Sequence, residues 1–445
     1  MKYLHTFFLG ITAQTLLAAS VAMAAADTKP AWLAEASLGV KESYDDNVFV
    51  AGADPKYLPS AYTVPAGSAV ALKDRSSWVT TVSPKIAVNF LPLFGEQKIL
   101  QSLSLAYAPD FVIYRDLPSE SYDAHRISGA IKGRTENFSF AADNTFTFVN
   151  GSSMGVVYPG ALYNVYMHPA VRERREQIQD KATVVLQYDW QRWFVRPTAA
   201  LTYYNLMTGQ TNVTGYQNYA DRYDVNGGAD IGYKISPQLA LTVGYRYGHQ
   251  FQEQFSFTSN SSPSDYQRIL FGIEGKPWKW LEVKIQGGPD FRDYADDTAT
   301  HITPVNDHHP VKYYGEALLV ATVTGVDTLT FKYKQWQWVS STGKVPYFDS
   351  TFDLGYHRKL SDKLGFDLGG KILSSDYSSG NLTTCRRNDM DYMLTTGLAY
   401  AINSHLSVSL GYTLELGRNA QNDIVNESTR EFTRNVVSLG ALVKF

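Results

Sequence analysis

The stretch LSVSLGYTLE, residues 406–415, alternates between apolar side chains and polar or small ones at every position. Successive side chains of a β-strand point to opposite faces, so this period of two predicts a strand with one apolar and one polar face. The same alternation recurs along the chain, for example over residues 281–286 and 352–357. A soluble β-sandwich would give the same signal strand by strand. Alternation alone therefore leaves both architectures open.

The lengths of the connections separate the two architectures. The pattern divides residues 34–445 into about eighteen strands, the third of them one strand over residues 99–114. Every second connection is short, as at 133–136 and 235–238, and most others are long and polar, as at 51–76 and 151–175. The sequence therefore predicts an all-β fold, a transmembrane antiparallel outer-membrane β-barrel of about 18 strands (16–18) with short periplasmic turns and long extracellular loops.

The first residues predict export. Met1, Lys2 and His5 precede an apolar run over residues 7–22, and Ala-Met-Ala at 22–24 forms a small-x-small cleavage site, as in a secretory signal peptide. A membrane anchor is the alternative, but the run contains polar residues and ends in alanines. We expect a signal peptide over 1–24, a periplasmic N-terminal leader over 25–33 and the transmembrane β-barrel over 34–445.

The composition narrows the class of function. With 30 Tyr, 22 Phe and 8 Trp the chain is 13% aromatic, which suits the interfacial girdles of a membrane barrel. Its single cysteine, Cys385, forms no internal disulfide, and a net charge of −3 without a long basic run indicates no nucleic-acid partner. No His-Glu-x-x-His or Cys-x-x-Cys motif occurs. We therefore expect no enzyme, no cofactor and no metal.

The C-terminal segment predicts how the barrel is assembled. Residues 435–445 alternate with apolar side chains on one parity and end in Phe445. Such a strand resembles the signal that outer-membrane assembly machinery recognises. The expected partners during biogenesis are periplasmic chaperones and the barrel-assembly machinery, and the expected surroundings are outer-membrane lipid.

An acidic cluster ends the first strand, with the sequence Tyr44, Asp45, Asp46, Asn47, Val48, Phe49. A calcium loop beginning at Asp45 would need Gly at its sixth position and Glu at its twelfth, where the chain has Val50 and Lys56. A catalytic carboxylate pair would need an enclosed pocket with partners, and the sequence supplies none that can be recognised. A structural role is favoured, in which Asp and Asn bond the backbone at a strand end while Tyr44 and Phe49 anchor at the membrane interface.

The same six residues resemble the first strand of the beta-barrel porin 2 family, whose members often accompany exopolysaccharide or capsule loci. The specific match covers only residues 44–49. The resemblance implies a large outer-membrane barrel and, more weakly, a role with polysaccharide.

The parity of the strands predicts which charged residues face the lumen. Arg196, Arg222, Arg246 and Arg268 recur on four successive strands and could form a basic ladder on one wall, opposed by Asp290, Asp353 and Asp367. The alternative is that these charges form ion pairs across neighbouring strands and only make the wall polar. The pore-lining candidates are Arg126, Lys181, Arg196, Arg222, Arg246, Arg268, Glu282, Lys284, Asp290, Asp353, Asp367 and Lys371.

A barrel of this size encloses a water-filled lumen. The sequence therefore predicts a porin-like outer-membrane channel for passive passage of polar solutes or saccharides, with a link to exopolysaccharide export implied only by the family resemblance. The alternative is a non-conducting outer-membrane barrel whose long outer loops bind a glycan or protein partner.

Overall fold

The structure is a computed structural model that describes ten segments of the chain. These are residues 29–50, 75–95, 98–151, 174–207, 221–253, 262–294, 308–339, 346–377, 387–422 and 431–445. The expected signal peptide, the cleavage site and Cys385 lie outside the described residues.

Within the described residues, nineteen β-strands make up one antiparallel sheet. Their bounds are β1 (Leu33–Asp45), β2 (Ser77–Asn89), β3 (Leu100–Tyr107), β4 (Asp110–Tyr114), β5 (Tyr122–Arg134), β6 (Phe138–Asn150), β7 (Gln177–Trp190), β8 (Trp193–Asn205), β9 (Arg222–Ser236), β10 (Leu239–Gln252), β11 (Ser264–Trp278), β12 (Leu281–Tyr294), β13 (Val311–Thr322), β14 (Asp327–Trp338), β15 (Tyr347–Lys359), β16 (Leu364–Tyr377), β17 (Arg387–Ala401), β18 (Leu406–Asn422) and β19 (Phe432–Lys444).

β3 and β4 are two halves of one barrel-crossing strand. Both pair with β2 on one side and β5 on the other. The break falls at Ala108 and Pro109, because proline has no backbone N–H to give to the ladder. The expectation of one strand over 99–114 is therefore right about the path of the chain and wrong about its continuity. Counted as crossings, the barrel has the 18 strands that the sequence predicts.

The sheet closes on itself because β1 pairs with β19 as well as with β2. Closure leaves no edge strand with unpaired backbone groups, which is the condition for crossing a lipid bilayer with strands. The last strand, whose alternation ends the sequence, is thus one side of the closing seam.

The two faces of the barrel follow the alternation of the sequence. On β10 the side chains of Leu241, Val243 and Tyr245 are exposed on the outside, whereas Arg246 and Gln250 are buried on the inside. An apolar exterior around a polar interior is the arrangement of an outer-membrane barrel. The protein is therefore an integral β-barrel of the bacterial outer membrane. None of the described helical turns is long and apolar enough to span a membrane.

Aromatic residues mark both rims of the exterior. Four exposed tryptophans lie at the rim of the short turns: Trp190, Trp193, Trp278 and Trp280. The rings of Trp278 and Trp280 stack 5.6 Å apart. Tyr44 and Trp78 pack against each other at the opposite rim, with ring centroids 5.4 Å apart. The short connections are 135–137, 191–192, 237–238, 279–280, 323–326, 360–363 and 402–405. The connection from β2 to β3 is longer and includes a 3-10 turn at Leu91–Leu93.

Candidate channel and its outer mouth

One wall of the lumen holds paired arginines. Arg196 on β8 donates to Asp230 at 3.1 Å and to both carboxylate oxygens of Glu274 at 2.8 Å. Arg246 on β10 reaches the other oxygen of Asp230 at 2.7 Å. The residue between these groups is Gly244, where a Cβ would lie 2.2 Å from the Asp230 carboxylate. Glycine is thus required there for Asp230 to bridge two guanidinium groups.

The same wall continues with a second buried ion cluster on β11 and β12. Asp290 accepts from Arg268 at 2.7 Å and from Arg292 at 2.9 Å. The guanidinium carbon of Arg268 also lies 4.1 Å from the ring centre of Tyr266 and 4.4 Å from that of Tyr314. Both contacts are within the range of cation–π attraction. Asp290 therefore belongs to the arginine wall, and the expectation that it opposes the ladder from another wall is wrong.

Arg222, the remaining member of the expected ladder, is covered by other groups. Its guanidinium donates to the carbonyl oxygen of Val339 at 2.6 Å and lies over the rings of Tyr204 and Trp338, at 5.2 and 5.1 Å. Only 2% of the residue is exposed. Arg222 and Asp290 thus face the inside of the barrel but are shielded from the water in it.

A row of lysines crosses another part of the wall, on β12 to β16. Cross-strand pairing places Lys284, Leu318, Lys332, Asp353 and Lys371 in direct succession, one residue per strand. The three lysines are exposed, and within the described part of the chain none has a carboxylate within 4.0 Å. These ammonium groups are positive charges that the described wall leaves without an ion pair.

Two further candidates lie near the ends of the barrel. Glu282, at the periplasmic end of β12, pairs with Lys276 at 3.0 Å. Arg126 on β5 is half-exposed and lies 3.8 Å from Asp110, a distance that gives a weak contact.

Lys181 and Asp367 complete the set of expected lumen residues. The Lys181 ammonium lies 5.6 Å from the ring centre of Tyr204. Asp367 contacts the imidazole of His357 at 2.8 Å. Asp367 thus lies at the periplasmic end of β16 with its own partner, and Asp353 is the only one of the three expected opposing carboxylates that sits in the lysine row.

Three buried carboxylates on the inner face are not among the residues predicted from the sequence. Asp349 on β15 accepts from the Ser375 hydroxyl at 2.5 Å, and Asp389 and Asp391 lie close by on β17. Asp349 has the parity of Asp353 on β15, and Asp389 is the cross-strand neighbour of Ser375 on the inner face of β16. Strict application of the period of two would therefore have identified all three. They lie on the side of the barrel formed by β15 to β17.

The acidic cluster at the end of β1 ties the first strand to the last. The Asp45 carboxylate accepts from Arg434 at 2.7 Å, and the same guanidinium reaches Glu415 on β18 at 3.1 Å. Asp46 accepts from the backbone N–H of Asn435 at 2.6 Å and from its side-chain amide at 2.7 Å. The cluster therefore has the structural role favoured by the sequence, and it acts at the closing seam.

Asn47 completes this lock. Its backbone N–H donates to Asp45 at 3.0 Å, as in an Asx turn, and its side-chain amide donates to the carbonyl of Thr433 at 2.9 Å. Tyr44 anchors at the exterior rim as expected. Phe49 does not, because the chain turns inward after Asp46 and leaves only 5% of Phe49 exposed.

The inward-turning residues 46–50 are held by an arginine from another loop. Arg174 donates to the carbonyl of Val48 at 2.7 Å and pairs with Glu120 at 3.1 Å. Its guanidinium also lies 6.0 Å from the ring of Phe49. Val48 is fully buried and packs on the inner face of β2 and β4.

Val50 carries this inward segment across the mouth. It packs against Leu206, which follows β8, and Phe432, which begins β19. Its φ of 50° is in the left-handed region, which a β-branched residue rarely adopts.

The backbone N–H of Leu206 donates to Asp221 at 2.8 Å. Burial raises the pKa of the Asp221 carboxyl, the Leu206 hydrogen bond lowers it, and the negative charge of Glu253 raises it further, with a net upward shift.

A second segment, residues 337–339 at the outer end of β14, turns into the barrel. Besides the Val339 carbonyl that binds Arg222, the carbonyl of Gln337 accepts from Gln250 on β10 at 3.0 Å. The Gln337 side chain donates to the hydroxyl of Tyr294 on β12. Residues 337–339 therefore lie over the outer part of the arginine wall and bury it.

The described residues offer little for catalysis or metal binding. They contain no group of three or more His, Cys, Asp or Glu side chains that could hold a metal ion. Residues 151–155 match the Gly-x-Ser-x-Gly pattern of nucleophile elbows. Gly151 follows the antiparallel strand β6, and residues 152–173 lie outside the described part of the chain.

Comparison with known proteins finds no match in sequence, and the solved structures that match have low identity and low TM-scores. No family model matches the chain. No curated protein matches it either. Among solved structures, the outer membrane protein OpdK from Pseudomonas aeruginosa is 10% identical with a TM-score of 0.41, covering 92% of this chain and 99% of that one. OccK2 (OpdF) of the same organism, solved with glucuronate, is 10% identical with a TM-score of 0.44, covering 92% and 98%. The siderophore receptor PirA from Acinetobacter baumannii is 9% identical with a TM-score of 0.40, covering 93% and 81%. The resemblance of residues 44–49 to the beta-barrel porin 2 family is therefore not supported by any family match.

Proposed function

We propose that the protein is a passive, porin-like channel for small polar solutes and that it favours anions. The observation that carries this proposal is the row of exposed lysines Lys284, Lys332 and Lys371 on the inner wall, without carboxylate partners among the described residues. Fixed charges in a confined lumen raise the local concentration of counter-ions.

The arginines contribute less to such a preference than the sequence suggested. Arg196, Arg246 and Arg268 each contact a carboxylate within 3.1 Å, so most of their charge is compensated within the wall. Their role in this proposal is to hold the wall rigid beneath residues 337–339.

A second candidate function is a non-conducting barrel that binds a partner through its outer side. It is favoured by the cover over the outer mouth, where Val50 bridges from the β1 seam to Leu206 and Val339 reaches Arg222. Conductance distinguishes the two functions directly.

Saccharide passage and a link to exopolysaccharide export are finer proposals that rest on the resemblance of residues 44–49 alone. The genes adjacent to that of this protein test this link, because polysaccharide synthesis genes would favour export and a catabolic operon would favour uptake. Removal of residues 1–24 on export is likewise a proposal, tested by the mass of the protein isolated from outer membranes.

Reconstitution into planar bilayers and into swelling-assay liposomes tests the channel function. We expect stepwise conductance and uptake of small polar solutes, with exclusion of larger ones. Protein that is folded, as judged by its heat-modifiable gel mobility, but gives neither conductance nor swelling would leave the binding function as the better account.

A further inference from the structure

Two lysines of the inner wall flank an apolar side chain. Lys284 on β12, Leu318 on β13 and Lys332 on β14 are direct cross-strand neighbours with side chains on the inner face. One level toward the periplasm, Val320 occupies the position below Leu318 on the same strand face. Charged and apolar groups thus alternate across this part of an otherwise polar lumen.

The carboxylates nearest to Lys284 are already engaged. Glu274 pairs with it across the strands, but both oxygens of Glu274 accept from Arg196 at 2.8 Å. Glu316, one level above Leu318, accepts from Gln286 at 2.5 Å and from Tyr314 at 2.7 Å.

Lys332 also lacks a bonded carboxylate among the described residues. Asp353 is its cross-strand neighbour on β15, yet no ion pair within 4.0 Å joins them in the described structure. Within the described residues both lysines therefore lack a bonded anion while remaining exposed to the lumen.

The spacing of the two lysines defines what would bind. Neighbouring strands are about 4.8 Å apart, so the backbones of Lys284 and Lys332 are separated by roughly 10 Å across β13. Each ammonium is a compact point charge at the end of a flexible stem and imposes no bidentate geometry. Two carboxylates joined by a short hydrocarbon spacer could contact both ammonium groups while the spacer covers Leu318.

We propose that Lys284, Leu318 and Lys332 form a binding site for a small aliphatic dicarboxylate. The inference rests on the proposed function only in that the solute must enter the lumen. The site selects a class of ligand beyond anions in general. A monoanion would contact only one of the two lysines, and an inorganic dianion would leave Leu318 uncovered.

Titration of the detergent-solubilised full-length protein with glutarate tests the site without requiring transport. Isothermal titration calorimetry or ligand-observed NMR should detect binding that Lys284→Gln and Lys332→Gln each weaken about tenfold. Leu318→Asn should weaken glutarate binding severalfold while keeping both charges. Lys181→Gln is the matched control, because Lys181 is another exposed lysine of the inner wall, on β7. It should change the affinity less than twofold.

Butyrate supplies the ligand control, and we expect it to bind at least tenfold more weakly than glutarate. The site is overturned if glutarate does not bind, if butyrate binds as well, or if Lys181→Gln weakens glutarate binding as much as Lys284→Gln does. Heat-modifiable gel mobility of each variant separates lost binding from lost folding. Binding without conductance would overturn the channel function and leave the site standing, and conductance without glutarate binding would do the reverse.

Discussion

At the scale of single residues, one guanidinium on β19 ties the first strand to the last two. Arg434 joins Asp45 and Glu415, whose side chains are only 3% and 2% exposed. Both carboxylates would be left without their common counter-charge if Arg434 were neutral. Loss of one partner from a buried ion pair is costly because the remaining charge stays desolvated.

We predict that Arg434→Gln lowers the free energy of unfolding by about 3–5 kcal/mol. Urea unfolding of protein refolded into liposomes, followed by gel mobility, measures the change. Asp362→Asn is the control, since the ion pair of Asp362 with Lys359 lies in an exposed periplasmic turn and should leave the unfolding midpoint unchanged. Equal midpoints for wild type and Arg434→Gln would contradict a role for Arg434 in closure.

A smaller substitution tests the arginine wall. At Gly244 a methyl group would overlap the Asp230 carboxylate that bridges Arg196 and Arg246. We predict that Gly244→Ala destabilises the barrel by about 1–3 kcal/mol, because either the ion cluster or the β10 backbone must shift. Gly370→Ala on β16, where nothing lies within 4 Å of the added Cβ, should be close to neutral in the same urea assay.

At the scale of elements, two segments that turn inward cover the outer end of the lumen. Residues 46–50 are held by Arg174, and residues 337–339 at the outer end of β14 are held by Arg222. Both contacts join parts of the chain that are more than a hundred residues apart in sequence. Release of either segment should widen the mouth.

We predict that Arg174→Gln increases single-channel conductance, because residues 46–50 lose both the hydrogen bond to Val48 and the pairing of Arg174 with Glu120. Arg115→Gln serves as the control, since Arg115 pairs with Glu42 on the exterior of the barrel. A conductance of Arg174→Gln equal to that of Arg115→Gln and wild type would mean that this segment does not limit passage.

The elements also show what sequence patterns can and cannot predict. The period of two identified every barrel-crossing strand, because one lipid face and one lumen face impose it on all of them. It placed Arg222 and Asp290 on the inner face correctly, but it could not distinguish a side chain in lumen water from one buried under residues 337–339. That distinction depends on the contacts of Val339 and Gln337 with β9, β10 and β12, which no local pattern encodes. Phe49 was assigned to the membrane interface for the same reason, since the turn after Asp46 is made by long-range bonds to β19 and Arg174.

At the scale of the whole molecule, the orientation of the barrel follows from its turns. We predict that a cysteine at Ser119, in the turn between β4 and β5, reacts with a membrane-impermeant maleimide on intact cells. A cysteine at Gln238, in the short turn between β9 and β10, should react only after the outer membrane is permeabilised. Cys385→Ser provides the unreactive background. Labelling of the Gln238 cysteine in sealed cells, with none at Ser119, would show that the barrel has the opposite orientation.

We expect the unpaired lysines, and not the paired arginines, to set the charge preference of an open lumen. The reversal potential of the reconstituted channel in a KCl gradient measures this preference. The channel should prefer chloride, and more strongly as salt is lowered, since the Debye length lengthens from about 8 Å at physiological salt to about 30 Å at 0.01 M. The preference should fall when Lys284, Lys332 and Lys371 are changed together to Gln, and persist when the periplasmic-turn residues Lys279 and Lys363 are changed instead. A wild-type channel that prefers potassium, or a chloride preference that survives the triple lysine substitution at low salt, would show that these lysines do not set the charge preference.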